Sequence, residues 1–171
     1  MKSLLLLRHA KSSRDDPRIA DFDRPLAKRG REAAPEVGSF LHQAKLIPDL
    51  ILCSTARRTQ ETAELALAKL GRHTTLRLVD SLYLAPSEQI LKAIHGVDAK
   101  VNTLLVIGHN PGLAQLASHL AASGDKAAIH RLRDKYPTSG LAVLEAGIGA
   151  WSKLDRAKLI QFVTPADLDG D

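Results

Sequence analysis

Cysteine is almost absent: Cys53 is the only one in 171 residues. No intrachain disulfide can form, and zinc sites built from several thiolates are excluded. Aromatic residues are scarce, with three Phe, two Tyr and one Trp. That leaves little from which to build a stacking platform for nucleic acid. No apolar run approaches the roughly 18 residues of a membrane-spanning helix. The run Leu4–Leu7 is followed at once by Arg8, too short for the apolar core of a secretory signal. A cytoplasmic protein is therefore expected, with neither membrane nor nucleic acid among its partners. Repeats and low-complexity linkers are also missing. The charge excess is modest, +5 with histidines neutral, which suits anionic partners of any kind.

What remains is an ordinary globular composition, 44% hydrophobic and 25% charged. The length predicts a single domain, residues 1–171, able to bury about 70% of its unfolded surface. Leu4–Leu7, Asp49–Cys53, Leu76–Val79, Val101–Ile107, Gly140–Leu144 and Lys158–Val163 read as strands, several of them apolar throughout. Val37, Phe40, Leu41 and Ala44 recur at helical spacing, with Pro35 expected in that helix's first turn. Further helices are expected over Thr59–Leu70, from an N-cap at Ser87 to Gly96, and from Asn110–Pro111 to about Ala122. Residues 123–137 read as loop. Strands alternating with helices predict an α/β fold, a three-layer α/β/α sandwich around a mostly parallel sheet. Ligands of such sheets bind beyond the carboxyl ends of the strands.

The unusual residues fall at those ends. Arg8-His9 follows the first strand, Ser54-Thr55-Ala56-Arg57-Arg58 the second, and Gly108-His109-Asn110-Pro111-Gly112 the Val101–Ile107 strand. In a parallel sheet these would bring two histidines and several arginines to one edge. Guanidinium groups bind phosphate oxygens through a planar fork of donors, and helix N-termini after Arg58 and Asn110 would add free N–H groups.

These segments also carry a resemblance. LLLLRHAKSS resembles the Arg-His-Gly opening of the histidine phosphatase superfamily, which includes cofactor-dependent phosphoglycerate mutase. STARRTQETA resembles its S-x-x-x-R-x-x-x-T segment, and VIGHNPG its second-histidine motif. DFDRPLAKRGREAA is similar to the D-x-x-R-P-L-x-x-x-G element of the small SixA-type phosphohistidine phosphatases. The resemblance spans most of residues 3–122, with Ala10 standing where the superfamily often has glycine. It implies a phosphoglycerate mutase-like fold and a metal-independent phosphatase with no cofactor. The implied substrate is phosphohistidine, for instance on a signalling protein, or another small phosphorylated group.

In that reading His9 is the nucleophile, which must present an unprotonated ring nitrogen to phosphorus. Arg8 and Arg58 clamp the phosphoryl group, Arg24 is a third binding arginine, and His109 donates to the phosphoryl oxygens. Asp80, three residues before Tyr83, is the candidate proton donor. Arg57 is expected at the surface, and His42, His73, His95, His119 and His130 as structural or solvated. Within the superfamily, a small-metabolite phosphomonoesterase or a phosphomutase is the alternative. From another class, a phosphate-binding module without chemistry would keep the arginines but need no nucleophile. Rival chemistries lack their motifs. Cys53 has Thr59, not arginine, at the Cys-x5-Arg position and is expected in the core. There is no G-x4-G-K-[ST] loop and no G-x-S-x-G elbow.

Overall fold

The computed structural model describes residues 1–169. Its framework is one seven-stranded sheet formed by β1 (Lys2–Arg8), β2 (Leu50–Ser54), β3 (Thr75–Val79), β4 (Thr103–Gly108), β5 (Ala121–Gly124), β6 (Leu141–Ala146) and β7 (Ala157–Val163). The spatial order is β3-β2-β4-β1-β6-β7-β5. The pairs β3–β2, β2–β4, β4–β1 and β7–β5 are parallel, while β6 runs antiparallel to both β1 and β7. The sheet is therefore mostly parallel, as expected.

Four consecutive leucines make β1 a central strand because successive side chains alternate between faces. Leu4 and Leu6 enter the core beneath α3 (Ser87–His95), α4 (Gly112–Leu120) and α5 (Lys126–Asp134). Leu5 and Leu7 enter the opposite core, beneath α1 (Lys28–Gln43) and α2 (Arg57–Leu67), with the short α6 (Pro165–Leu168) at its margin. All four leucines are essentially inaccessible, and each buried side chain contributes about 2 kcal/mol of hydrophobic stabilisation. Three layers result, with the parallel strands β1, β2 and β4 opening their carboxyl ends on one edge. Among the described residues no helix is long and apolar enough to cross a membrane.

Several local expectations are corrected. Helix α1 begins at Lys28, so Pro35 lies in its interior, not in its first turn. The added turns are held by Gly30 and Ala34, and Ala34 packs with Ala10 and Leu26 in a small separate cluster. Their charged neighbours Arg29, Arg31 and Glu32 hide this face from hydrophobic periodicity. Residues 123–137 are not simply loop, since they contain the end of β5 and all of α5. Strand β5 is a four-residue edge, and α5 buries only Ala128 and Leu132, so neither writes a strong apolar pattern. Ser87 is the first helical residue, with Pro86 at the cap position. Helix α4 starts at Gly112, although Asn110 Oδ1 does accept the Ala114 N–H.

Two glycines set how closely the site loops pack. A Cβ on Gly30 would collide with the carbonyl oxygen of Lys11, and one on Gly112 with that of Ala85. The first brings α1 against the segment after His9, and the second seats the His109 loop against the entry to α3.

Candidate active site

His9 follows β1 and is 7% exposed; His109 follows β4 and is 2% exposed. Parallel pairing of β1 with β4 puts Arg8 level with Gly108, so the two histidines project from adjacent strand ends. Their ring centroids are 5.3 Å apart.

His9 Nδ1 lies 2.7 Å from the backbone oxygen of Ala10. A carbonyl only accepts, so Nδ1 carries the proton and Nε2 keeps its lone pair. The carbonyl is itself fixed, because the Ala10 N–H donates to Thr62 Oγ1, whose hydroxyl donates to the Arg58 carbonyl. Burial lowers the His9 pKa to about 4, with the Arg58, Arg8 and Arg24 charges acting in the same direction and the hydrogen bond to Ala10 opposing them. His9 is thus neutral at pH 7. The methyl of Ala10 fills the cluster with Leu26 and Ala34, and its φ is not positive. Nothing at this position requires the glycine common in the superfamily.

His109 Nε2 is 2.7 Å from Ser54 Oγ, and its Nδ1 is 3.4 Å from Arg58 Nη2. A guanidinium only donates, so Nδ1 is the acceptor and Nε2–H donates to Ser54. Burial, followed by His9 and Arg58, lowers the His109 pKa to about 3.

Arg58 is buried at the start of α2, where its backbone is in helical register while its guanidinium reaches back over the sheet edge. It donates to the Asp21 carbonyl at 2.7 Å and to Asp21 Oδ2 at 3.0 Å. Arg8 Nη1 donates to the Tyr136 carbonyl at 3.0 Å, while Arg8 Nε is buried without a partner. Arg24 donates to the Ser13 carbonyl, Ser12 Oγ and Asp21 Oδ1. It therefore ties the loop together while adding positive charge around His9. Arg57 is exposed and pairs with Glu61 at 3.2 Å.

Asp80 is exposed at the head of a 3-10 turn, Asp80–Leu82. Its side chain makes no hydrogen bond to His9, Arg58 or His109 among the described residues. The carboxylate that does meet the cluster is Asp21, which accepts from Arg58, Arg24 and the Tyr83 hydroxyl. That Tyr83 bond, with Arg58 and Arg24 adding to it, holds the Asp21 pKa at about 2. Asp21 is the first residue of the D-x-x-R-P-L element, so a signal for it existed. Tyr83 also stands edge-on to His109, with centroids 5.5 Å apart. Ser54 and Thr62 sit within the second motif, where sequence supplied no role for them.

Cys53 is buried, and burial pushes its thiol up to about 12; it is a core residue. His42 and His95 bond the backbone carbonyls of Leu70 and Leu154. Among the described residues no group of three or more His, Cys, Asp or Glu is arranged to hold a metal ion.

Comparison with known proteins supplies the family. The sequence profile of the histidine phosphatase superfamily (branch 1) matches residues 4–82. The candidate phosphohistidine phosphatase SixA from Nakamurella multipartitia superposes with a TM-score of 0.83 at 31% identity, covering 96% of each chain. The chain belongs to the histidine phosphatase superfamily. A second superfamily structure, the candidate phosphohistidine phosphatase SixA from Agrobacterium tumefaciens, gives a TM-score of 0.81 at 32% identity, over 96% of this chain and 98% of that one. An uncharacterized protein of Mycobacterium tuberculosis is 41% identical over 163 residues, 93% of this chain and 99% of its own. The histidine phosphatase fold thus extends past the profile match and includes His109 and the strands that follow.

Proposed function

We propose that this histidine phosphatase is a metal-independent phosphohistidine phosphatase in which His9 is the nucleophile. The observation that carries the reading is the hydrogen bond from His9 Nδ1 to the Ala10 carbonyl. It leaves Nε2 unprotonated at the edge where Arg8, Arg58 and His109 gather.

The Nε2 lone pair attacks phosphorus in line as the bond to the leaving group breaks, forming phospho-His9. Water then attacks that phosphorus, inorganic phosphate departs and Nε2 regains its lone pair. Each transfer spreads charge over three equatorial oxygens, so catalysis rests on preorganised donors. Arg8 and Arg58 supply them, Arg24 adds positive charge, and His109 Nδ1 becomes a donor when the incoming anion draws a proton onto it. The gathered guanidinium groups would repel a divalent cation, which supports metal independence.

The proton inventory favours a nitrogen leaving group. Asp21 is held ionised by three donors, and Asp80 stands outside the contact network. An alkoxide leaving from an ester needs a proton from such a group. A phosphohistidine protonated on its second ring nitrogen leaves as neutral imidazole and needs none at the breaking bond. The metabolite phosphatase, phosphomutase and non-catalytic readings are the alternatives to be tested. The test is a panel of donors: a phosphohistidine-carrying protein, free phosphohistidine, sugar phosphates and aryl phosphates. The N–P donors should show the highest kcat/KM, with phosphate released. Faster ester hydrolysis, phosphate transfer between positions of a sugar acid, or tight phosphate binding without turnover would each replace the reading.

A further inference from the structure

Of the few aromatic residues in the chain, Tyr136, Trp151 and Phe162 are buried, and Phe40 packs against a core cluster. Phe22 and Tyr83 belong to no core cluster. Phe22 is 39% exposed, and the two rings meet edge to face with centroids 5.0 Å apart. They come from distant segments, yet both stand at the phosphoryl site. Tyr83 is edge-on to His109, and the Arg58 guanidinium carbon lies 6.0 Å from the Tyr83 ring centroid. The site's own contacts hold both rings in place. The Tyr83 hydroxyl donates to Asp21 Oδ2. Phe22 is the middle residue of the 3-10 turn Asp21–Asp23, whose first carbonyl accepts from Arg58 at 2.7 Å. Leu84, next to Tyr83, is 53% exposed with φ +50°, a backbone conformation that side chains rarely adopt. It leads directly into Ala85, whose carbonyl packs against Gly112 of the His109 loop. Two rings are thus kept partly in water, in fixed positions, beside the phosphoryl donors.

We propose that Phe22 and Tyr83 determine leaving-group specificity: they receive one flat ring, aryl or heteroaryl, bonded directly to the phosphoryl group, and disfavour alkyl groups. The inference rests on the phosphoryl site proposed around His9 and adds which side chains sort its substrates. In-line transfer sends the leaving group to the side of phosphorus opposite Nε2. His9 is buried, so that side faces the mouth, where Arg58 meets Asp21 and Tyr83 stands. A ring placed there joins Phe22 and Tyr83 in an edge-to-face or offset cluster. It gains from ring geometry in addition to the apolar area it removes from water. An alkyl group or a sugar has no ring quadrupole to match and less apolar surface to bury. A row of stacked bases finds no further platform, because the other aromatic residues lie in the cores.

The experiment is calorimetric titration with phenylphosphonate and methylphosphonate at a pH where both are dianions. Neither can be hydrolysed, and they differ only in the group that phosphorus carries. The wild type should bind phenylphosphonate about tenfold more tightly. Phe22→Ala and Tyr83→Leu should each lower that preference about threefold. Tyr83→Phe, which keeps the ring and loses the bond to Asp21, should retain it. Phe22 and Tyr83 lie outside the core clusters, so these exchanges leave the packing of the sheet intact. Equal losses for both phosphonates in Phe22→Ala would mean that Phe22 only positions Asp21, and would overturn the inference. So would a wild type that binds the two alike, or a Tyr83→Phe variant that loses the preference as Tyr83→Leu does. Binding of neither phosphonate by the wild type would instead overturn the phosphoryl site around His9, and this inference with it.

Discussion

Arg58 and Asp21 meet over the mouth of the site, Nη2 to Oδ2 at 3.0 Å. The carboxylate occupies a donor that a phosphoryl oxygen would need, so Asp21 and an oxyanion compete for the same guanidinium. Asp21→Asn should therefore tighten tungstate or vanadate binding by up to about fivefold, since this carboxylate is partly exposed and its pairing is worth no more than about 1 kcal/mol. Calorimetric titration measures it. Weaker binding in the variant would mean that Asp21 chiefly orients Arg58.

His9→Ala should leave less than about a tenth of wild-type turnover, because the other unprotonated ring nitrogen at the site, His109 Nδ1, is taken up as the acceptor of the Arg58 guanidinium. An acid-labile phosphoryl label should appear on wild-type enzyme quenched during turnover and be missing from the variant. A label elsewhere, or retained turnover, would remove His9 from the nucleophile's role.

Arg58→Ala should lower kcat/KM by about 10²- to 10³-fold, as for loss of one preorganised donor to a developing oxyanion, and should weaken tungstate binding severely. Unchanged affinity would take Arg58 out of the clamp. Asp80→Asn, by contrast, should change turnover of a phosphohistidine donor less than about twofold, within the range of ordinary surface substitutions. A loss of a hundredfold would restore Asp80 as proton donor.

Acid should destabilise the protein through its two buried histidines. Their folded pKa values of about 4 and about 3 lie below the ordinary 6.5. Between those values the unfolded chain binds more protons, so stability rises with pH across that window and levels off above about 6.5. Asp21, held at about 2 instead of 3.8, adds a further loss only at the acid end. Urea unfolding from pH 3.5 to 7.5 should show this slope, and His9→Gln should reduce it between about 4 and 6.5. A wild-type profile flat across the window would contradict neutral burial of His9.

Gly30→Ala should destabilise by about 1–3 kcal/mol, the cost of overpacking, and should lower turnover as well, because the added methyl strikes the Lys11 backbone just after His9. Gly147, where an added methyl group would meet nothing within 4 Å, is the control; Gly147→Ala should stay within about 0.5 kcal/mol. Thermal unfolding and kcat measured together separate the two effects.

The strands and the edge at which the site lies were readable from local sequence. An apolar tetrad such as Leu4–Leu7 specifies a strand buried on both faces whatever surrounds it. Arg8, His9, Arg58 and His109 follow such strands directly, so parallel pairing alone carries them to one place. Helix α5 and strand β5 were not readable, because two buried residues in one element and an edge position in the other leave almost no periodic trace. Tertiary structure alone decided that Asp21 and not Asp80 meets the arginines, that Ser54 holds His109 Nε2, and that Arg8 Nε and Ser139 Oγ are buried without a partner. Those outcomes depend on where loops from distant parts of the chain cross. A loop's path is set by packing against neighbours such as Gly30 and Tyr83, and no spacing along the chain encodes which neighbours those will be.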